Sequence, residues 1–575
     1  TLLKREEIKK GYVLACQSEV MDDVVVEIPP ESRAEGKILI DKDAQRFRAL
    51  YAPMKEQVFF KYEPLIQKIY LELSPSSLQD NISDHLRLYR SIKRQKKIAI
   101  MQTGLKVIRA LPYILRNNDW KITATLGTRG GTVEIIQVEK GNTTAKNFAV
   151  AIDVGTSTVV AHLVDLNNFE TIDAEATYNS QMIYGEEVTR RIIYAELKGE
   201  HKLREAIVDD INNLITTLVS RNNIRLSDLM AIVCAGNTTM IHFLLELNPS
   251  YIRKEPYIPV CTCPPPIRAA EIGIKINPRG LLYSLPSIAS WVGADTTAGI
   301  LATGLYQANE LTMLIDVGTN GEIVIGDKDW MVCCSASAGP AFEGSGVRNG
   351  MRAAEGAIER VKISEEGEIQ YTTIGKGKPK GICGSGLVDT VAELFKAGFI
   401  NRSGRLNPKI NSKVRDINGE LEFLLVPSSQ TATKDEIVIN RADIENLLRA
   451  KAAIFAGIKV LTKILSIEFS DIKRIYLAGG FGNYLNKENA ITLGLIPDVE
   501  REKVQFVGNT AILGAKMALL SNDAFDTAYW ISKNITYYDL ITYPDYMDEF
   551  MSAKFLPHTD INEFPTVMEK IKRAV

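Results

Sequence analysis

The chain has 575 residues, of which 45% are apolar and 24% are charged, and its 68 basic and 70 acidic residues give a formal net charge of −2. This composition excludes a mainly disordered or fibrous chain, and the length predicts several domains. Because the charges balance, we expect neither nucleic acid nor a membrane surface as a partner. No apolar run is long enough to span a bilayer and no secretory signal is recognisable, so the expected location is the cytoplasm.

The first part of the chain predicts two small units joined by a linker. Residues 1–32 contain a valine-rich strand with no neighbouring strand of its own, and because the chain begins with Thr we expect a further segment ahead of it. Residues 33–75 are mixed and helix-leaning, which predicts a linker. Residues 76–147 predict a small α/β domain with a hairpin around the Gly-Gly turn at 130–131. Its basic run, 93–97, is interpreted as a solvated face.

An internal repeat organises the rest of the chain, 148–575, in which strand and helix signals alternate. Residues 151–165 (AIDVGTSTVVAHLVD) and 314–327 (LIDVGTNGEIVIGD) share Ile-Asp-Val-Gly-Thr between two apolar strands. A weaker pair, 230–245 and 475–485, consists of a strand that runs into a glycine turn and a helix. The order of these four motifs predicts two similar α/β halves that face each other across a cleft.

The repeated motif is suited to a phosphate chain with a magnesium ion. Tight glycine turns expose backbone N–H donors, and the neighbouring Thr, Ser and Asn side chains can bond phosphate oxygens. Asp153 and Asp316 offer hard carboxylate oxygens that would hold Mg²⁺ through bound water. A single Asp-x-Gly-Thr is ordinary turn chemistry, but two copies between apolar strands favour a nucleotide site. The chain has neither GxxxxGK[ST] nor GxGxxG after a strand, which disfavours the other common nucleotide folds.

These motifs resemble those of the actin, sugar kinase and Hsp70 (ASKHA) superfamily of ATPases. Its two phosphate motifs would be 153–158 and 316–321, and its adenosine motif would be 477–484. The resemblance implies a two-lobed, actin-like α/β domain with duplicated halves. It assigns catalysis and Mg²⁺ binding to Asp153 and Asp316. The residues that would contact ATP are Gly155, Thr156, Ser157, Thr158, Asn237, Gly318, Thr319, Asn320, Gly339, Glu343, Gly479, Gly480 and Phe481.

More specifically, the chain resembles the ATP-dependent reductive activators of corrinoid proteins over essentially its whole length. Beside the second Asp motif and YLAGGFGNYL, the shared segments are CCSASAGPAFEGSG (333–346) and ICGSGLVDTVAELF (382–395). In that family a ferredoxin-like domain carries a [2Fe–2S] cluster, and Cys16 matches its fourth ligand, so residues 1–32 would be the end of such a domain. The first three ligands are absent from this chain. The alternative for Cys16 is a buried free thiol.

The resemblance implies delivery of an electron to the Co(II) corrinoid of a partner protein, which regenerates Co(I) in an uphill step driven by ATP. The partner would be a corrinoid iron–sulfur protein of the acetyl-CoA pathway or a corrinoid methyltransferase component, and a homodimer through the small domain is a further expectation. Three alternatives remain open: a small-molecule kinase on the same scaffold, a nucleotide sensor without hydrolysis, and a dehydratase-activator-like ATPase with a cluster held by Cys333 and Cys334 between subunits.

Several other residues invite a functional interpretation. Seven cysteines are too few, and odd in number, for a disulfide framework, and the Cys261–Cys263 pair predicts loop thiols because zinc needs more ligands. His162 is expected in the core of its apolar strand. Residues 441–465 predict a long amphipathic helix whose Lys451 and Ala452 could line the nucleotide cleft.

Overall fold

The computed structural model describes residues 60–364, 367–408, 413–479 and 485–574, which belong to one compact unit of the chain. The predictions for residues 1–32, for Cys16, and for Gly480 and Phe481 lie outside the described residues. Within the described ranges, no helix combines the length and the hydropathy needed to cross a membrane.

A four-stranded sheet with the order β1-β3-β4-β2 forms the small domain. Its elements are β1 (Ile66–Glu72), α1 (Asp84–Gln95), β2 (Met101–Thr103), α2 (Leu105–Arg116), β3 (Lys121–Arg129) and β4 (Thr132–Lys140). Strands β3 and β4 are the predicted hairpin, and Gly130 and Gly131 have φ values of 56° and 77° in its turn. The helix-leaning character predicted for residues 33–75 is wrong at β1, whereas their assignment as a linker stays a prediction. All seven of its residues pair antiparallel with β3, so a partner distant in sequence decides its conformation.

The small sheet lies between its own helices and the next domain. One sheet face packs against α1 and α2, where Leu88, Leu111 and Leu115 are buried. The opposite face contributes Ile66 and Ile136 to a core shared with the following strands. The sheet is therefore fixed to the larger domain on one side and covered by its helices on the other.

The first half of the large domain is built on a six-stranded sheet with the order β7-β6-β5-β8-β10-β9. Its strands are β5 (Phe148–Val154), β6 (Thr158–Asp165), β7 (Glu170–Tyr178), β8 (Leu229–Gly236), β9 (Ile267–Arg268) and β10 (Leu281–Ser284). Its helices are α3 (Val188–Lys198), α4 (His201–Arg221), α5 (Thr238–Leu244) and α6 (Ala294–Thr303). Strand β8 pairs parallel with β5, the strand that carries the first Asp motif.

The second half repeats this arrangement in a sheet with the order β21-β20-β11-β12-β13-β22. Its strands are β11 (Thr312–Val317), β12 (Gly321–Gly326), β13 (Met331–Ala336), β20 (Arg474–Ala478), β21 (Val504–Gly508) and β22 (Ile535–Tyr537). In both halves three antiparallel strands are followed by a fourth that returns parallel to the first. The duplicated, two-lobed α/β fold predicted from the repeated motif is confirmed.

Insertions and helices complete the second half. Two three-stranded sheets contain β14 (Ala357–Ile363), β15 (Ile369–Thr373) and β16 (Gly381–Ile382), and β17 (Val414–Ile417), β18 (Glu420–Val426) and β19 (Ile437–Asn440). The helices are α7 (Gly384–Lys396), α8 (Arg441–Leu465), α9 (Lys487–Leu493), α10 (Thr510–Leu520), α11 (Asn522–Asn534), α12 (Tyr546–Ala553) and α13 (Pro565–Ala574).

The long helix predicted at residues 441–465 is α8, which begins at a capping box formed by Asn440 and Asp443. Its predicted contribution to the cleft is wrong. Lys451 is fully buried away from the cleft, and its Nζ donates hydrogen bonds to the carbonyl oxygens of Phe555 (2.6 Å) and Pro557 (2.8 Å). Ala452 packs in the core of the second half. A lysine on the apolar face of this helix is thus accommodated by two backbone acceptors of the C-terminal segment.

Glu134 is the polar anchor between the small sheet and the first half of the large domain. Its side chain is 6% exposed and forms ion pairs with Arg129, Arg268 and Arg279. Two of these arginines belong to the large domain, and Arg279 also donates to the carbonyl oxygen of Ile136. The small domain is therefore held by charge as well as by apolar packing.

We expect Glu134→Ala to destabilise the protein by about 2 kcal/mol, because it leaves partly buried guanidinium groups without their carboxylate. The matched control is Glu170→Ala on β7, an exposed carboxylate whose loss changes stability by less than about 0.5 kcal/mol. Thermal unfolding followed by circular dichroism compares the two. Equal melting temperatures of both variants would contradict the anchoring role.

Candidate functional site

The turns that follow the two predicted aspartates meet at one cavity of about 320 Å³. Across it, Ser157 Oγ from the first half lies 3.3 Å from Thr319 Oγ1 of the second half. The predicted residues that line it are Asp153, Gly155, Thr156, Ser157, Thr158, Asn237, Asp316, Gly318, Thr319, Asn320, Glu343 and Gly479. The structure thus brings both Asp motifs, the Asn after β8 and the glycine after β20 into a single site. Gly339 lies behind the lining, where its backbone N–H donates to the carbonyl oxygen of Thr319 (2.9 Å).

A buried arginine holds the first turn in place. The Arg191 guanidinium donates to the carbonyl oxygens of Thr156 and Gly185, at 2.7 Å each. Burial lowers the pKa of Arg191 to about 10, an effect that the negative charge of Glu343 opposes. Gly155 allows the turn itself, because a Cβ at this position would lie 2.5 Å from the carbonyl oxygen of Thr158. The sequence analysis missed Arg191, which gives no signal of its own in α3.

The second turn is held by hydrogen bonds within its own half. The N–H of Gly318 donates to the carbonyl oxygen of Asn320 (2.9 Å), and the Thr319 hydroxyl donates to Glu343 Oε1 (2.8 Å). Glu343 therefore touches the cavity and also orients the hydroxyl that meets Ser157. On the cavity rim, the Arg352 guanidinium lies 4.0 Å from the centre of the Tyr178 ring, which is a second contact between the two halves.

Five carboxylates line the cavity, and the sequence analysis identified three of them, Asp153, Asp316 and Glu343. Burial raises the pKa of Asp153 and of Asp316 to about 7 and that of Asp295 to about 6. Burial also raises the pKa of Glu322 well above its usual value, and Asp295 and Asp316 add to the effect. Asn509 Nδ2 donates to Asp153 Oδ2 at 2.6 Å, which opposes the rise there. The mutual repulsion of these acids favours a bound cation.

The two additional acids enter the site from positions that the Asp motifs do not include. Asp295 is in the first turn of α6, after Gly293, whose Cβ would lie 2.5 Å from the Cα of Asn237. The Asp295 side chain accepts from the N–H of Thr296 at 2.8 Å. Glu322 lies on β12 directly opposite Asp316 of β11 in the register of the hairpin. The sequence signal that could have identified Asp295 is an acidic residue among small residues at the start of a helix, in the segment GADTTAG.

The residues present are compatible with a hydrated magnesium ion. Within the described ranges, no group of three or more His, Cys, Asp or Glu residues is positioned to ligate a metal directly. Asp153 and Asp316 nevertheless face the same cavity, as expected for carboxylates that act through water.

Gly479 forms the wall of the cavity behind Asp316. Its φ is +97°, and a Cβ there would lie 2.5 Å from the carbonyl oxygen of Val317 and 2.8 Å from Asp316 Oδ1. Only glycine permits this approach of β20 to the second Asp motif. A ligand could therefore lie against bare backbone at this point.

One alternative and one prediction for other residues are wrong. Cys333 and Cys334 are both fully buried on β13 and belong to different cores on the two sides of the sheet, so they cannot hold a cluster between subunits. Burial raises the pKa of each thiol. His162 is half-buried and lines the cavity instead of the core, because β6 forms part of the cavity wall. The Cys261–Cys263 pair is half-exposed, and its interpretation as loop thiols stays a prediction.

The fold and this site agree with comparisons to known proteins. Family models described as the RACo linker region, the RACo middle region and the C-terminal ASKHA domain of RACo match residues 55–145, 148–308 and 310–568. The corrinoid activation enzyme RamQ of Eubacterium limosum is 36% identical over 70% of this chain and 69% of its own. The chain belongs to the RACo family of reductive activators.

Two further members of this group extend the comparison. A [Co(II) methylated amine-specific corrinoid protein] reductase of Methanosarcina barkeri is 28% identical over 68% of this chain and 73% of its own. A solved reductive activator for corrinoid, iron–sulfur protein is 42% identical, with a TM-score of 0.84 over 98% of this chain and 90% of its own. The ASKHA assignment made from the Asp motifs is therefore confirmed, whereas the predicted domain boundaries stay a prediction.

We expect Gly479→Ala to weaken nucleotide binding by about tenfold or more, because a side chain at this φ strains the backbone and displaces Asp316. Gly377→Ala is the matched control, since Gly377 has an ordinary φ of −84° and open space around it. Calorimetric titration with a non-hydrolysable ATP analogue and Mg²⁺ gives both affinities. An unchanged affinity of the Gly479→Ala variant would show that this wall does not contact nucleotide.

Proposed function

We propose that this protein uses ATP to reactivate a corrinoid protein by reduction, returning its cobalt from Co(II) to Co(I). The observation that supports this most strongly is the convergence of two Asp motifs from duplicated halves on one cavity, in a chain of the RACo family. A relative is named as a reductase of a Co(II) corrinoid protein, and another as a reductive activator of a corrinoid, iron–sulfur protein.

In this proposal the phosphates of ATP lie between the turns at Gly155 and Gly318, whose backbones offer N–H donors. Asp153 and Asp316 hold the hydrated Mg²⁺, which when bound neutralises the phosphate charge and the surrounding acids. Arg191 fixes the first turn through the carbonyl oxygen of Thr156, and Asn509 of the second half donates to the side chain of Asp153. The turns at Gly155 and Gly318 belong to different halves, so a nucleotide held between them contacts both.

Asp295 is the candidate base for hydrolysis. Its carboxylate faces the cavity close enough to Asp153 and Asp316 to affect the pKa of both, and Thr296 orients it. In the proposed step, a water molecule attacks the terminal phosphorus, Asp295 accepts the water's proton, and ADP leaves with inorganic phosphate as the second product. The same carboxylate would serve the kinase alternative if a substrate hydroxyl replaced the water.

The electron would come from a [2Fe–2S] cluster, for which Cys16 is the candidate ligand in this chain. Cys16 lies outside the described residues, and within the described ranges no group of three or more His, Cys, Asp or Glu residues is positioned to ligate a cluster directly. The chemistry derived from the structure therefore concerns ATP. Because the nucleotide contacts both halves, ATP binding and hydrolysis would change their relative position and so alter the complex with the corrinoid protein.

We expect Asp295→Asn to lower ATP turnover by about 100-fold or more, because the base is lost, while the affinity for ATP changes little. Asp316→Asn removes a magnesium-holding carboxylate, so we expect it to weaken Mg²⁺-dependent ATP binding as well. The control is Asp329→Asn, which changes an exposed aspartate of the second half, the half that carries Asp316. Turnover is measured with and without a Co(II) corrinoid iron–sulfur protein, whose visible spectrum reports the cobalt state.

The wild-type protein should release inorganic phosphate faster with the corrinoid protein present and should convert its cobalt to Co(I) when a reductant is supplied. Full turnover by Asp295→Asn would remove its role as the base. Phosphate found on an added sugar or acid in place of inorganic phosphate would favour the kinase.

A further inference from the structure

The outer layer of the small domain carries a concentration of positive charge that the ATPase site does not use. Residues 85–118 contain nine Lys and Arg residues and no Asp or Glu, in a chain whose net charge is −2. This stretch covers α1 after its first residue, Asp84, together with β2, α2 and the loops between them. Like charges on one surface repel each other, so such a segregation is unfavourable unless another group neutralises it.

The two helices present this charge outward. Leu88 and Ile92 of α1 and Leu111 and Leu115 of α2 are buried against the sheet. The opposite face of the sheet packs on the large domain. The outer surfaces of α1 and α2 are therefore the side of the small domain that faces away from the ATPase halves.

Within the part of the chain that the structure describes, most of the basic side chains on this side form no ion pair. Arg87 pairs with Asp80, and Arg116 pairs with Asp84. The remaining exposed ones form no ion pair with any residue in the described ranges, and they are Arg90, Lys93, Arg94, Lys97, Lys106 and Arg109. On α1, positions 90, 93 and 94 follow the helical period and so lie on one face of the helix, and Lys97 lies two residues beyond its end.

Large apolar side chains are interspersed with these charges. Ile100 is 59% exposed, Leu105 is 59% exposed and Tyr113 is 70% exposed. An exposed aromatic residue beside arginines is typical of protein interfaces, where such residues provide the anchors. The phosphate backbone of a nucleic acid, in contrast, would be bound by the basic side chains alone and would not require exposed apolar residues beside them. We call the six unpaired basic residues together with Ile100, Leu105 and Tyr113 the basic helical face.

We propose that the basic helical face is the docking surface for an acidic protein, and specifically for the corrinoid protein that the ATPase serves. This inference rests on the proposed function and adds where the partner binds and what charge it carries. The ion pairs of Glu134 with Arg268 and Arg279 hold the small domain on the first half of the ATPase. A partner on the basic helical face is thus fixed relative to the half that carries Asp153.

The test compares two charge-reversed variants of the full chain. The first is Arg90→Glu/Lys93→Glu/Arg94→Glu on α1. The control is Lys376→Glu/Lys378→Glu/Lys380→Glu, three exposed lysines of the second half. We expect the first variant to bind the corrinoid iron–sulfur protein at least about tenfold more weakly and with a smaller salt dependence, whereas the control binds like the wild-type protein. ATP turnover without partner should be unchanged in both.

If the charge-reversed variant does not fold, Arg90→Gln/Lys93→Gln/Arg94→Gln is used, and a severalfold weaker affinity is expected. Affinity equal to that of the wild-type protein would overturn the docking surface and leave the proposed function standing. Absence of any stimulation of wild-type turnover by a bound corrinoid protein would overturn the proposed function instead. No binding by the wild-type chain would overturn the docking proposal.

Two further probes separate a protein partner from other acidic macromolecules. They are a DNA duplex of about 30 base pairs and phosphatidylcholine vesicles with about 30% phosphatidylserine. We expect no binding of either by the wild-type protein at physiological salt. If the wild-type protein binds the DNA or the vesicles and the Arg90→Glu/Lys93→Glu/Arg94→Glu variant does not, the basic helical face is assigned to nucleic acid or lipid and the proposal is overturned.

Discussion

The site depends on the cost of keeping several carboxylates together in one enclosed cavity. Asp153, Asp295, Asp316 and Glu322 all face this space, and burial raises the pKa of each, with repulsion by neighbouring acids adding to the rise for Asp153, Asp316 and Glu322. Such a cluster is unfavourable by itself and becomes favourable when a cation binds. The surrounding groups are consistent with this role, since Asn509 donates to one acid and Gly479 makes room beside another.

The duplicated fold explains how these acids meet. Each half places an Asp motif at the end of its first strand, where an antiparallel hairpin turns and a parallel strand ends beside it. Two such sheets that face each other bring Ser157 to Thr319 and Arg352 to Tyr178. A ligand that touches both turns therefore acts on the relative position of the halves, which is the property that ATP-driven work on a partner requires.

Much of this could be predicted from the sequence because the decisive features are local. The repeated Ile-Asp-Val-Gly-Thr identified both hairpins, and the period of residues 441–465 identified α8. Features that depend on long-range contact could not be predicted. Strand β1 needs β3 as a partner, Arg191 acts on a turn 35 residues away, and Lys451 is satisfied by carbonyls more than 100 residues further along. Periodicity also could not distinguish a core position from a cavity wall at His162.

The most direct test of the central claim is a crystal structure with Mn²⁺ in place of Mg²⁺ and a non-hydrolysable ATP analogue. The account predicts an anomalous scattering peak in the cavity between Asp153 and Asp316, with the phosphates of the analogue against both turns. A peak outside this cavity, or nucleotide bound to one half alone, would contradict it.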